Sequence, residues 1–158
     1  MMGAGKSTVA PFVADQLGLD WVDTDRLVEE RSGRSVVELC GEGEAVFRSE
    51  EAAAVRAVAG GDTVVACGGG VVLDDRLVAE MRATGFVVWL DASADLLLAR
   101  TIADAERPLL TAHPARALHR ILDERRWRYQ AAAHAVVAAA APPGVVATAV
   151  IAAWSRSS

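Results

Sequence analysis

Short apolar runs alternate along the chain with segments whose apolar residues recur at helical spacing. Four runs are typical of strands and cover about residues 19–22, 63–67, 86–90 and 135–139. Continuous apolar runs of this length predict parallel strands that are covered on both faces. Because strands alternate with helices, the pattern predicts an α/β fold, a parallel sheet with flanking helices and right-handed crossovers.

Helical spacing predicts helices between these strands. The first helix runs from Lys6 to Leu17 and ends at Gly18, although Pro11 should remove one backbone hydrogen bond and kink it. Ser35 and Glu38 form a capping-box pattern at the start of a short helix. The predicted helices after the first cover about residues 26–31, 36–40, 44–58, 75–82, 96–102, 115–133 and 145–154.

Length and charge narrow the classes of function. The 158 residues carry a formal net charge of −5, which argues against nucleic-acid binding, because such proteins present a basic face. We expect one domain spanning residues 1–158 and no secretory signal. The apolar stretch 131–154 is broken by Pro142-Pro143-Gly144 into pieces too short to cross a membrane. Cys40 and Cys67 lack disulfide or metal-site spacing and are expected to be buried thiols of a cytoplasmic protein.

The opening residues carry the first candidate chemistry. Gly5-Lys6-Ser7 matches the end of the phosphate-binding-loop pattern, whose first glycine would fall one position before Met1. Loop amides and the following helix N-terminus bind phosphate oxygens, Lys6 would bridge the outer phosphates and the Ser7 hydroxyl would hold Mg²⁺. Lys6 is also the single lysine of the chain. The alternative is an ordinary glycine turn before a helix.

Two carboxylates follow the first predicted strand. Asp23 and Asp25 lie at its carboxyl end, where open α/β sheets bind ligands. One carboxylate can serve the Mg²⁺ shell while the other orients a substrate hydroxyl and takes its proton. The alternative is that Asp25 caps the helix that begins at Arg26.

Glycines and arginines complete the candidate set. Gly68, Gly69 and Gly70 follow the second predicted strand, where they allow a ligand to approach the backbone closely or form a flexible turn. Planar guanidinium groups grip carboxylates and phosphates through paired hydrogen bonds. The candidates of this kind are Arg48, Arg107 and Arg125.

Five motifs occur in a fixed order along the chain. They are Gly-Ala-Gly-Lys-Ser-Thr, Val-Asp-Thr-Asp-Arg, Ala-Val-Phe-Arg-Ser-Glu, Cys-Gly-Gly-Gly-Val-Val and Arg-Pro-Leu-Leu. The ordered set resembles the shikimate kinase family, small P-loop enzymes of the nucleoside monophosphate kinase type, over essentially the whole chain. The resemblance implies a monomeric, cytoplasmic enzyme of aromatic amino-acid biosynthesis that uses ATP and Mg²⁺. Its reaction would phosphorylate the 3-hydroxyl of shikimate and give shikimate 3-phosphate.

The resemblance also implies roles on the nucleotide side. Lys6 and Arg107 match the catalytic residues that bind the transferred phosphoryl group, and the segment 102–114 matches a mobile lid that excludes water. Ser7 and Asp23 match the residues associated with magnesium. The positions that match nucleotide-binding residues are Gly3, Ala4, Gly5, Lys6, Ser7, Thr8, Arg100 and Arg107.

On the substrate side, the resemblance implies a binding segment at about residues 24–51. Asp25 matches the residue that contacts the substrate hydroxyls and acts as a base. Arg48 and Arg125 match the two arginines that bind the shikimate carboxylate. Gly68, Gly69 and Gly70 match the family's substrate-side glycine motif.

The chain departs from the family pattern before Met1. A central strand of the family's five-stranded sheet and the first glycine of its phosphate-binding loop are both missing, so we expect a slot between two apolar strands. Backbone groups left unpaired there would cost about 1–3 kcal/mol each if buried. The simplest explanation is a start assigned too late, with an apolar strand encoded upstream. Pro11, Gln130 and Ala131 are lesser departures.

Two other functions remain open on the sequence alone. One is a related small-molecule kinase, such as a gluconate kinase, because Arg48 and Arg125 suit any substrate that carries a carboxylate. The other is a truncated, inactive remnant with a structural or ligand-binding role. Its only support is the missing front end, since the presumptive catalytic side chains are present.

Overall fold

The computed structural model describes residues 1–102 and 114–157, so Arg107 and nearly all of the segment expected to form a lid lie outside the described residues. Helices and strands alternate as the sequence predicts. The helices are α1 Lys6–Leu17, α2 Thr24–Ser32, α3 Val36–Glu42, α4 Glu44–Val58, α5 Asp75–Thr84, α6 Ala94–Ile102, α7 Pro114–Ala132 and α8 Pro143–Ser155. The strands are β1 Asp20–Asp23, β2 Thr63–Ala66, β3 Val88–Asp91 and β4 Ala135–Ala138.

The four described strands form two separate parallel pairs. Strand β1 pairs with β2, with Asp20 opposite Thr63, and β3 pairs with β4, with Val88 opposite Ala135. Parallel pairing confirms the α/β prediction. The two pairs are separate because no described strand lies between β2 and β3.

An apolar groove separates the two pairs. Its volume is about 430 Å³. The lining includes residues 64–67, which lie in β2 and directly after it, and residues 87–90, which lie directly before β3 and in it. Met1 and Tyr129 also line this groove. The slot expected from the resemblance is therefore present between β2 and β3, while its origin in a late start stays a prediction.

The ends of the first helices follow local rules. Helix α1 continues through Pro11 and ends at Gly18, whose φ of 65° is left-handed as a helix stop requires. Ser35 and Glu38 form the predicted capping box of α3. Asp23, not Asp25, caps α2, because its side chain accepts a hydrogen bond from the Asp25 amide. The alternative role for Asp25 as a cap is therefore wrong.

Strand β3 begins two residues later than the apolar run predicts. The Val87 amide donates to the Nδ1 atom of His134 at 3.0 Å, and the Val87 carbonyl accepts from the His134 amide at 2.8 Å. A side chain thus replaces the first rung of the ladder between β3 and β4. A 3₁₀ turn at Val71–Leu73 was also not predicted.

Two apolar clusters fill the interior. The larger one joins residues of α1, α4, α5, α6, α7 and α8 to β3 and β4. The smaller one lies among α2, α3 and α4 and consists of Val28, Leu39, Phe47 and Ala54. Across residues 1–102 and 114–157, no helix is long and apolar enough to span a membrane.

The groove gives the first testable prediction. We expect an engineered extension of about five alternating Val and Ile residues, fused ahead of Met1, to lie in the groove and pair with both inner strand edges. The melting temperature should rise by several degrees, because each 1 kcal/mol shifts it by about 2–4 °C in a domain of this size. Calorimetry measures the shift, and amide hydrogen exchange at β2 and β3 should slow.

A matched extension of the same length, built from alternating Lys and Pro, provides the control. The charged lysine side chains cannot enter an apolar groove. Proline has no amide hydrogen and therefore cannot donate a hydrogen bond to a strand edge. Equal melting temperatures for the two extended proteins would show that the groove does not accept a strand.

Candidate active site

The first residues of the chain form a tight glycine turn before α1. Gly5 is the N-cap of α1 with φ 84°, and Gly3 has φ 69°. A Cβ atom on Gly3 would lie 2.7 Å from the Leu97 carbonyl oxygen and 2.8 Å from the Thr101 hydroxyl. Glycine is therefore required at Gly3 by both conformation and space. The positive end of the α1 dipole lies at this turn, which suits an anion.

A second cavity of about 380 Å³ lies along this turn. Arg100 of α6 borders it and donates to the Ala139 carbonyl at 3.0 Å and the Gly3 carbonyl at 3.5 Å. The sequence-predicted nucleotide residues thus share one cavity in the described chain. They are Gly3, Ala4, Gly5, Lys6, Ser7, Thr8 and Arg100.

Oxygen ligands meet where α1 and β1 approach each other. The Ser7 hydroxyl donates to Oδ2 of Asp23, and the Asp23 Oδ1 atom accepts from the Asp25 amide at 3.0 Å. Hydroxyl and carboxylate oxygens suit Mg²⁺, which usually takes few protein ligands and completes its shell with phosphates and water. No group of three His, Cys, Asp or Glu side chains suited to a metal occurs within the described ranges. Lys6 donates to the Met1 carbonyl at 2.8 Å.

A buried hydroxyl joins the ends of β1 and β2. Thr24 is fully buried; its Oγ1 atom accepts from the Gly68 amide at 2.9 Å and donates to the Ala66 carbonyl at 3.4 Å. This pair of bonds fixes Asp25 relative to the glycine turn at 68–70. Sequence reasoning missed Thr24, although its place between two candidate aspartates is a signal that could have suggested it.

A partly buried ion pair lies beside the glycine turn at 68–70. Arg48 and Glu51 of α4 pair at 2.5 Å, and Glu51 is only 2% exposed. The Oε1 atom of Glu51 has no hydrogen-bond partner among the described residues. That atom lies against Gly68, as does Oδ1 of Asp25, while the Arg48 guanidinium lies against Gly70. No side chain larger than hydrogen fits at Gly68 or Gly70 without displacing these groups.

Glu51 is a site residue that sequence reasoning missed. The only available signal was its position three residues after Arg48, which places both on one helix face. Burial raises the pKa of the Glu51 carboxyl above its ordinary value, and the charges of Arg48 and Arg125 oppose this shift while Asp25 adds to it. A carboxyl between these groups can balance the charge of the two guanidinium groups.

Helix α7 brings two further groups to the glycine turn. Arg125 acts electrostatically on both Glu51 and Tyr129, so it lies beside the same cluster. The Tyr129 hydroxyl donates to the Gly69 carbonyl at 2.6 Å. Sequence reasoning missed Tyr129, whose position four residues after Arg125 places both on one helix face.

The predicted site residues therefore fall into two adjoining groups. The phosphate-side group contains residues 3–8, Arg100 and Asp23, and the substrate-side group contains Asp25, Arg48, Gly68, Gly69, Gly70 and Arg125. Thr24 joins the two groups, because it lies between Asp23 and Asp25 and bonds to the glycine turn.

The cysteines take no part in these bonds. Burial raises the pKa of Cys67 to about 12, which keeps its thiol protonated. Cys40 is exposed, so the expectation that both thiols are buried is wrong for Cys40.

Replacing Thr24 tests the link between the two strand ends. Thr24→Val keeps the shape of the side chain but leaves the buried Gly68 amide without an acceptor, which costs about 1–3 kcal/mol. We expect the melting temperature to fall by about 2–12 °C, since each 1 kcal/mol corresponds to about 2–4 °C. Thr84→Val is the control, because the Thr84 hydroxyl is exposed and donates only within its own helix. Equal melting temperatures for the two variants would contradict a structural role for Thr24.

Replacing Glu51 tests its burial. Since the pKa of Glu51 is raised above 4.5 in the folded protein, the folded state holds the proton more tightly than the unfolded chain. The Glu51 contribution to stability is therefore present below the ordinary pKa and is lost as pH rises through the raised pKa. We expect Glu51→Gln to remove this loss. The free energy of unfolding, measured with urea at about pH 4 and about pH 7, should therefore change less between the two pH values than in the parent protein. Glu50→Gln is the neighbouring control, and superimposed pH profiles for all three proteins would contradict the burial.

Comparisons with known proteins agree on one family. The family model for "Shikimate kinase" matches residues 2–154. The shikimate kinase of Symbiobacterium thermophilum is 44% identical over 139 residues, which cover 85% of this chain and 80% of that protein. Shikimate kinase 2 of Dickeya chrysanthemi is 42% identical over 149 residues, covering 91% and 86%.

Solved structures give the same answer. The shikimate kinase from Acinetobacter baumannii in complex with shikimate superposes with a TM-score of 0.93 at 29% identity, covering 99% of this chain and 89% of that one. The shikimate kinase from Bacteroides thetaiotaomicron gives a TM-score of 0.88 at 29% identity, covering 98% and 94%. The fold and the family match cover the residues that form both groups of the site. This chain belongs to the shikimate kinase family, whose members are ATP-dependent phosphotransferases.

Proposed function

We propose that this chain transfers the γ-phosphoryl group of ATP to the 3-hydroxyl of shikimate and produces shikimate 3-phosphate. The observation that carries the proposal is the adjacency of an anion-binding helix N-terminus to a cluster of two guanidinium and two carboxylate groups. A nucleotide phosphate suits the first group and a hydroxylated carboxylate suits the second. The shikimate bound in the Acinetobacter baumannii structure supports the choice of acceptor.

On the nucleotide side, the loop amides and Lys6 hold the phosphates. Lys6 lies at the start of α1, where its compact ammonium group can bind the outer phosphates. Ser7 and Asp23 would hold Mg²⁺, and their hydroxyl and carboxylate oxygens fit that ion. When bound, Mg²⁺ would neutralise part of the phosphate charge. Arg100 lines the same cavity beside Gly3 and would lie near the nucleotide base.

On the substrate side, Arg48 and Arg125 bind the shikimate carboxylate. Arg48 keeps its charge because the carboxylates of Glu51 and Glu44 outweigh the effect of burial and raise its pKa. Asp25 orients the 3-hydroxyl and accepts its proton as the oxygen attacks the phosphoryl group. The amides of the glycine turn contribute further donors to the substrate oxygens.

Catalysis then depends on positioning and on charge. The phosphoryl group carries charge on its oxygens during transfer, and Lys6 with the loop amides meets that charge. Arg107, which lies outside the described residues, is proposed to add a guanidinium from the lid. Closure over the substrates would exclude water, so that the 3-hydroxyl rather than a water molecule accepts the phosphoryl group.

No observation favours the gluconate kinase alternative, since the relatives reported above are shikimate kinases. The remnant alternative has less support than activity, because Lys6, Asp25 and Arg48 are present in adjoining groups of one site. A monomeric single domain stays a prediction.

A coupled assay of ADP release tests the proposed function. We expect ADP to form with ATP and shikimate and not with ATP and gluconate. Lys6→Met should lower kcat by roughly a hundredfold or more, because it removes charge that meets the phosphoryl group. Arg48→Lys should raise KM for shikimate about tenfold and leave KM for ATP unchanged, because an ammonium cannot form the paired grip.

Arg56→Lys is the matched control for Arg48→Lys. Arg56 forms an exposed ion pair with Glu80 at 2.6 Å and lies outside both groups of the site and outside the segment 24–51. Its kinetic constants should equal those of the parent protein. The proposed function is contradicted if the parent protein releases no ADP in response to shikimate.

A further inference from the structure

The glycine turn at 68–70 offers only its backbone to a ligand. Side-chain atoms of Glu51 and Asp25 lie against Gly68, the Met1 backbone lies against Gly69 and the Arg48 guanidinium lies against Gly70. These neighbours leave no space for a side chain at Gly68 and Gly70 unless they move, and a Cβ on Gly69 would lie 3.3 Å from the Met1 Cα atom. Its contribution to recognition therefore depends on the direction of its amide and carbonyl groups.

Most of these backbone groups already have partners. The Gly68 amide donates to Thr24, the Gly68 carbonyl accepts from Val71 at 3.5 Å, and the Gly70 carbonyl accepts from Leu73 at 2.9 Å. The Gly69 carbonyl accepts from the Tyr129 hydroxyl at 2.6 Å. Within residues 1–102 and 114–157, no hydrogen bond involves the amides of Gly69 and Gly70. Those two amides are the donors that the turn leaves for a ligand.

The Tyr129 bond sets the direction of one of them. The carbonyl of Gly69 and the amide of Gly70 belong to the same peptide unit, which is trans and planar, so they point in opposite directions. A hydroxyl that holds the carbonyl toward α7 therefore directs the Gly70 amide away from α7. Because glycine flanks this peptide on both sides, little else prevents its rotation.

The Tyr129 ring is itself firmly placed. Tyr129 is 5% exposed and stacks on Trp89 with ring centroids 5.9 Å apart. The Trp89 ring lies under the Arg126 guanidinium, which pairs with Asp91 at 2.8 Å. The Met1 sulfur, 3.6 Å from the hydroxyl, is a weaker acceptor than the Gly69 carbonyl. The hydroxyl therefore reaches the turn from a rigid support.

Tyr129 also connects the turn to Arg125. The two residues are four apart on α7, so they lie on the same helix face. Arg125 acts on the Tyr129 hydroxyl, and the proposed function assigns Arg125 to the substrate carboxylate. The hydrogen bond from Tyr129 to the Gly69 carbonyl therefore fixes the distance between α7 and the glycine turn, and in the proposed function both approach the same substrate.

We propose that Tyr129 is a positioning residue for shikimate, whose hydroxyl holds the Gly69 carbonyl and so directs the Gly70 amide toward the substrate. This inference rests on the proposed function. Tyr129 does not touch the substrate or the nucleotide. Its loss should therefore weaken the binding of shikimate and leave the binding of ATP unchanged.

Tyr129→Phe is the direct test. It removes one hydroxyl and keeps the stacked ring, so KM for shikimate should rise about five- to tenfold, the usual effect of one lost hydrogen bond. KM for ATP should stay within about twofold of the parent value. Trp127→Phe is the matched control, because Trp127 is an exposed aromatic residue on the same helix and is outside the site. The control should leave both constants unchanged.

The chain contains a single tyrosine, which provides a second test that does not remove the hydroxyl. Biosynthetic replacement with 3-fluorotyrosine changes only residue 129 and makes its phenol more acidic. Burial raises the pKa of Tyr129, and the charged groups that act on it are Arg125 of its own helix and Arg48 and Glu51 of α4. The hydrogen bond from Tyr129 to the Gly69 carbonyl needs the protonated phenol, so KM for shikimate should rise at high pH as the phenol ionises. In the fluorinated protein this rise should begin at a lower pH, and Tyr129→Phe should not show it.

The outcomes separate this inference from the proposed function. If the parent protein releases no ADP with shikimate, the proposed function fails, and the carbonyl ¹³C chemical shift of Gly69 still tests the hydrogen bond from Tyr129. A changed shift in Tyr129→Phe supports this bond, and an equal shift in the two proteins overturns it. In an active protein, an unchanged KM for shikimate, or equal increases of both KM values, overturns the proposed positioning role. If Tyr129→Phe does not fold, the pH shift in the fluorinated protein decides, and no shift overturns the proposal.

Discussion

The close packing of side chains against the backbone of residues 68–70 is the constraint on which the site depends. Charged groups from α2 and α4 lie where a Cβ atom would otherwise be, and a hydroxyl from α7 bonds to the central carbonyl. Three separate helices therefore meet at one short turn after β2. Because the turn has no side chains, small movements of any of these helices change the distances among the polar groups directly.

The electrostatics of the site follow from the same packing. Glu51 and Asp25 bring two carboxylates into a small buried volume, which raises the pKa of Glu51, and the guanidinium groups of Arg48 and Arg125 offset that charge. A buried ion pair is weak support for stability, since removal of its charges from water offsets much of the attraction. The arrangement is better explained by orientation. Arg48 is held by Glu51 in the position where it lies against Gly70.

Local signals made much of the fold predictable. The stop of α1 at Gly18 and the capping box at Ser35 and Glu38 depend on residues close in sequence, and both are confirmed. The separation of the strands into two pairs agrees with the slot expected from the family resemblance, whereas hydrophobic patterning alone does not reveal which strands pair. The cap of α2 was predicted at Asp25 as one alternative and lies at Asp23, since the strand ends one residue later than its apolar run.

The missed site residues have a common physical reason. Thr24, Glu51 and Tyr129 act through partners 44, 17 and 60 positions away, respectively Gly68, Gly68 and Gly69. No periodicity or motif encodes such contacts, because they arise only when distant elements pack together. The charged residues of the motifs could be chosen from their chemistry. The groups that hold them in place are a buried threonine, a glutamate and a tyrosine, which in sequence resemble ordinary core or surface residues.

The groove and the site share part of one wall. The groove between β2 and β3 is lined by Met1, Cys67, Gly68, Gly69 and Tyr129. The same turn and tyrosine belong to the proposed substrate side, where the Tyr129 hydroxyl bonds to the Gly69 carbonyl. Met1 also accepts a hydrogen bond from Lys6 through its carbonyl oxygen. Whatever occupies the groove therefore packs directly against the groups that orient Lys6 and the Gly69 carbonyl. Packed interiors transmit strain rather than absorb it. A strand that pairs with β2 and β3 in the groove would therefore also affect the positions of the groups proposed to carry out phosphoryl transfer.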